Sequence, residues 1–331
     1  MGVLSAAAVA EIKARGSIDN IDVLALRRDC GDGRITFDEA EIIFSLNDAC
    51  PLQDPAWTDW FVETLTEFIV DQAEPDGYLT SDNATWLVAH IAKEGRVETL
   101  TEMDLVLSVL DRARWSPISL VRFALDQVKH AIVSAAGPLR CGRLLAPSVV
   151  SEADVDLLRR IMCSFDADLP VTRPEAEVLL DIDAAAAAGE NHPSWRDLLV
   201  KALANCVLAA SGCTTPPRRL ALARDPWLDR RGPLSLDRKV VGIGFGLKCL
   251  FGGYRRLSDA ERDIARLRRQ KIEIVTREPL AKAEAGWLAA RIDGNARVSS
   301  NARALLSFLK GESPALHPGL QALVDKAAAA S

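Results

Sequence analysis

The chemistry-bearing pattern that recurs along this chain is an acidic residue beside glycine in a short turn. DGRIT at 32–36, DGYLT at 76–80 and EGRVE at 94–98 share it, and LPVT at 169–172 and ARVSS at 296–300 are degenerate forms. Carboxylates gathered at a tight turn are the oxygen donors a hard divalent cation needs. Asp166, Asp168 and Glu175 are the best-placed set for a metal. Other constellations are poor. The four histidines, His90, His130, His192 and His317, fall in no HExxH or other ligand spacing. His192 precedes Pro193 and reads as a helix start. Neither a GxSxG elbow nor a phosphate-cradling loop is present. Gly242, Gly244 and Gly246 give GxGxG, but Leu247 stands where a dinucleotide fingerprint needs its last glycine. The expectation is a non-enzymatic chain with no resident cofactor, a divalent metal at the acidic turns being the alternative.

The helix–DGxhT–helix pattern resembles two families, across about a third of the chain. One is the EF-hand. The other is the TerB-like, tellurite-resistance-type helical domain, whose helices are joined by acidic DGxhS/T turns. The first resemblance implies calcium ligands and the second implies metal- or stress-responsive acids at helix junctions. Set on the twelve-residue calcium loop, Gly33 at position 6 puts Arg28, Cys30, Asp32 and Glu39 at positions 1, 3, 5 and 12. A cation at the first position opposes Ca²⁺. Gly77 at position 6 gives Gln72, Glu74, Asp76 and Asn83, without the terminal glutamate. The loop at 164–175 offers Ser164, Asp166, Asp168 and Glu175, but Leu169 replaces the glycine. No loop satisfies the whole pattern, and capping is the default role of these turns.

The elements that would position these residues are helical. Trp57, Trp60/Phe61, Leu65 and Phe68/Ile69 form an i, i+3/i+4 stripe, as do Met103, Val106/Leu107 and Leu110, and Leu199, Ala202/Leu203 and Cys206/Val207. Gly stops one helix, Thr or Ser caps the next, and the apolar residue between them pins the turn. The chain also matches itself. TFDEAEIIFSL from Thr36 shares four of eleven residues with TRPEAEVLLDI from Thr172. Pro55, Trp57, Asp59, Val62 and Leu65 then fall on Pro193, Trp195, Asp197, Val200 and Leu203. The 25 residues from Leu79 share eight identities with those from Leu280, including Trp86 with Trp287. The expected fold is all-α, with two tandem duplicated helical units at 1–150 and 151–331. The matched tryptophans are expected in the core.

The 331 residues, 49 % of them hydrophobic, are enough for a real core. A net charge of −6 excludes a chain that coats nucleic acid with its whole surface. The seven cysteines are irregularly spaced, with no CxxC, which fits small buried hydrophobes in a reducing cytoplasm. Arginine outnumbers lysine 30 to 10, pointing to a GC-rich bacterial source. No signal peptide or membrane span is legible in the sequence.

One segment breaks the duplication. The second copy carries an insertion at about 211–273 with a net charge of +8, against −14 for the remainder. Within it, VVGIGFGLKCLFGGYRR is apolar and glycine-containing with cations at its ends, and Ser258–Glu261 reads as a capping box. Packing across the acidic repeats, a protein partner, an anionic membrane surface and nucleic acid are the open roles, nucleic acid being the least favoured. The expectation is a scaffold or adaptor of the bacterial cytoplasm. It would bind a protein partner through Phe245, Leu250, Phe251, Arg255, Arg256, Arg262, Arg266 and Arg269. The insertion is expected to be dispensable for the fold.

Overall fold

The structure is a computed structural model. It describes residues 4–31, 34–73, 77–142, 145–164, 169–211, 213–223, 259–276, 287–288, 290–291, 299–312 and 321–322. The fold is all-α. The helices are α1 (Ala6–Arg15), α2 (Asn20–Cys30), α3 (Phe37–Ala49), α4 (Pro55–Glu67), α5 (Ser81–Ile91), α6 (Leu100–Arg112) and α7 (Ile118–Ser134). They continue with α8 (Glu152–Ser164), α9 (Arg173–Ala185), α10 (Pro193–Ala210), the single turn α11 (Arg218–Ala221), α12 (Asp259–Thr276) and α13 (Ser300–Glu312). A π-helical turn at Phe68–Gln72 extends α4. The strands among the described residues are two residues long. β1 (Ser17–Ile18) pairs in parallel with β2 (Leu52–Gln53), and β3 (Ala92–Lys93) pairs antiparallel with β4 (Arg96–Val97).

Local sequence explains where helices begin. Thr36 and Glu39 cap α3 reciprocally, Thr99 and Glu102 cap α6, and Thr80 accepts the Asn83 N–H at α5. Each cap satisfies donors that the first helical turn would leave unpaired. Asp54 caps α4 and His192 caps α10, each followed by proline at the first helical position. The apolar residue is buried in the four turns among the described residues: Ile35, Leu79, Val97 and Val171. The EGRVE turn differs from a plain helix–helix junction. Glu94 and Gly95 both take positive φ and close the β3–β4 hairpin, as a tight two-residue hairpin turn requires.

Apolar helical faces form one connected core from Leu4 to Leu309, so burial is continuous across residue 150. The most extensive helix contacts are those of α4 with α6, α7 with α9 and α10 with α13, and α7 also packs on α8. Trp57 and Trp195 are buried in this core, as expected of them. Trp86 and Trp287, also expected in the core, are half-buried and pack against its edge. Trp86 completes an aromatic cluster with Phe37, Phe44, Phe68 and His90, and Trp287 lies under the Arg173 guanidinium at 5.0 Å. A large flat side chain at the edge of a core can pack through one face and leave the other to solvent. No helix among the described residues is long and apolar enough to cross a membrane.

Candidate functional site

Of the expected metal ligands, Asp166 and Asp168 lie outside the described residues. Glu175 opens α9 and is fully buried. Its Oε2 accepts from the Thr172 N–H and hydroxyl, both at 2.7 Å. Its two oxygens also receive Arg218, Nη1 at 2.6 Å and Nη2 at 2.8 Å. A carboxylate holding a bidentate guanidinium is already charge-compensated. Glu39, the matching acid of the first copy, is buried and occupied by its own cap. Among the described residues, no group of three or more His, Cys, Asp or Glu side chains is placed to hold a metal ion.

Arg218 was not legible as a site residue. It comes from the stretch read as the start of the insertion. The insertion is expected to be dispensable for the fold, yet Cys213, Arg218, Ala221 and Leu222 at its start are buried. Its end is received by two further cations. Arg159 donates to the Leu222 carbonyl at 2.8 Å and Lys201 to that of Ala223 at 2.5 Å. Lys201 is buried and pairs with Asp197, one turn earlier on α10, at 2.7 Å. Arg159 lies 3.7 Å from the other Asp197 oxygen. A lysine inside the apolar run from Leu198 was the one hint available, since a buried cation requires an acidic partner. Burial also raises the Cys206 thiol, to about 12, with the Glu175 charge adding to the shift.

The expected contact residues divide in two. Phe245, Leu250, Phe251, Arg255 and Arg256 lie outside the described residues, as does the Ser258 end of the expected capping box. Arg262, Arg266 and Arg269 lie on α12. Arg262 and Arg266 are exposed and Arg269 is half-buried. Ile264 and Leu267, one turn apart, are 66 % and 65 % exposed. They put two branched aliphatic side chains in water between cationic neighbours. Further along, the Lys271 ammonium lies 5.7 Å from the centre of the Trp115 ring.

Nucleophile geometry is present in outline at one place. His192 Nδ1 lies 2.7 Å from Ser194 Oγ, and its Nε2 is 4.0 Å from Glu152. Ser194 is fully buried beneath the start of α10, so its hydroxyl has no approach for a substrate. His192 serves as the cap of α10, its Nδ1 accepting from the Ser194 N–H. No family model, curated protein or solved structure gives a significant match to this chain.

Proposed function

We propose that the chain is a non-enzymatic helical scaffold or adaptor, built from two copies of one helical unit, whose α12 face contacts a protein partner. The observation that carries this reading is the solvent exposure of Ile264 and Leu267 beside Arg262 and Arg266. Apolar side chains interleaved with arginine are the composition that protein interfaces favour. Matched contacts support the duplication. Trp57 donates to Asn47 and Trp195 to Asp183. Phe37 packs on Trp86, and Arg173, the residue after Thr172, on Trp287. The Asp54 N–H bonds to Ile18 and the His192 N–H to Val150. The reading of the acidic turns as metal ligands is the less favoured one, because Glu39 and Glu175 already have partners. A cytoplasmic setting belongs to the same proposal.

The test compares the full chain with its Ile264→Glu/Leu267→Glu variant by affinity capture from cells of the source organism. Flotation with anionic vesicles runs in parallel. One defined protein retained by the parent and lost by the variant, at unchanged Tm, supports the proposal. Equal capture by both, or anionic vesicles as the sole ligand, refutes it.

A further inference from the structure

Arg218 is nowhere near a surface, yet it is satisfied as completely as a bound ligand. Nε donates to the Leu169 carbonyl at 2.8 Å. Nη1 donates to the Met162 carbonyl at 2.9 Å and to Glu175 Oε1 at 2.6 Å. Nη2 donates to the Pro170 carbonyl and to Glu175 Oε2, both at 2.8 Å. A guanidinium has five N–H groups in a fixed planar fork, and every one of them is matched. Both side chains of the ion pair are 0 % exposed.

The receiving groups are held from behind. Thr172 fixes the Glu175 carboxylate through its N–H and hydroxyl. The Asn205 side chain on α10 accepts from the Val171 N–H at 2.8 Å, anchoring the backbone next to Pro170. Counted from Ser164, Pro170 is position 7 and Glu175 position 12. Those are the positions at which a calcium loop presents a backbone carbonyl and a bidentate glutamate. Here they address an organic cation. A metal ion needs its oxygens to converge on one point at about 2.3–2.6 Å, whereas these five oxygens address three separate nitrogens.

We infer that Met162, Leu169, Pro170 and Glu175 form a guanidinium-binding socket whose resident ligand is Arg218, supplied by the chain in place of a metal ion. The socket is selective for a planar, forked cation over a compact ammonium or Ca²⁺. Its occupancy pins residues 213–223 to the core. The socket rests on contacts within residues 162–218 and does not depend on a partner at α12.

Chemical rescue tests it on the full chain. Arg218→Ala should lower Tm by roughly ten degrees, because it leaves a buried carboxylate uncompensated. Millimolar methylguanidinium chloride should recover part of that loss. Methylammonium chloride, calcium chloride and sodium chloride at equal ionic strength should not. The double variant Glu175→Met/Arg218→Met lacks the charge on both sides and should fold without responding to any of them. If Arg218→Ala is isolated unfolded, refolding in methylguanidinium should restore its helical circular dichroism. Absence of both rescue and refolding, an equal response to methylammonium, or a Tm rise with Ca²⁺ would overturn the inference.

Discussion

Arg140 and Asp154 join the end of α7 to the start of α8, and removing one of them should cost far more than replacing both. Arg140 leaves the short turn Pro138–Arg140 and donates from Nε to the Ala131 carbonyl at 2.9 Å. Its two terminal nitrogens bind the two Asp154 oxygens at 2.7 and 3.0 Å. Asp154 Oδ2 also accepts from the Ser151 N–H and hydroxyl, capping α8. The side chains are 3 % and 6 % exposed, so solvent cannot replace a lost partner. Arg140→Ala leaves a buried carboxylate with only its cap bonds and should cost about 3–5 kcal/mol. Asp154→Ala leaves a buried guanidinium and removes a cap, a loss of similar size plus about 1 kcal/mol. An apolar pair, Arg140→Met/Asp154→Leu, removes both charges and should lose only about 1–2 kcal/mol, the part belonging to the cap. Urea unfolding followed by circular dichroism measures all four chains. A double variant losing as much as the two single variants together would show that the pair is not coupled, and the argument would fail.

Other perturbations follow from single contacts. Trp57→Ala empties a fully buried site and breaks the bond to Asn47, so it should cost about 3–5 kcal/mol in the same assay. His130 is held below its ordinary value of 6.5, first by burial and then by the Arg96 charge. The unfolded chain then takes up a proton that the native one resists. Stability present above about pH 6.5 is lost as pH falls towards the native value, and His130→Gln should flatten that limb of a urea-midpoint profile. Burial pushes the Cys30 thiol up to about 11 and the Cys206 thiol to about 12, while Cys141 is exposed. Mass-resolved alkylation of the native protein at mildly alkaline pH should label Cys141 well before Cys30, and Cys206 only after denaturation. Excising 211–273 removes Arg218 and should unfold or strongly destabilise the chain, whereas excising 224–258 leaves the socket occupied; melting curves distinguish the two.

What was legible in the sequence was local. A threonine three residues before a glutamate announces a helix start, and the caps at Thr36, Thr99 and Thr172 are there. The apolar residue of each described turn is buried for the same reason: the helices that flank it fix where it points. Periodicity identified the core faces of α4, α6 and α10. It could not say how much of Trp86 the neighbours cover, because that depends on Phe37 and Phe68 arriving from other helices. Glu175 shows the limit most clearly. Its spacing from Asp166 and Asp168 suggested a metal, while the cation it binds stands 43 residues further along the chain. A long-range ion pair leaves no periodic trace. Basic composition places Arg218 in the expected interaction segment, and burial places it in the core.

The central claim is that α12 is where this protein meets its partner. A photoreactive amino acid placed at Leu267 tests it in living cells. The control carries the same group at Leu52, which is 71 % exposed on the opposite half of the sequence. The account predicts one defined crosslinked protein from position 267, absent from position 52 and lost when Arg262 and Arg266 are reversed to glutamate. Identical patterns from both positions, or no crosslinked protein at 267, would contradict it.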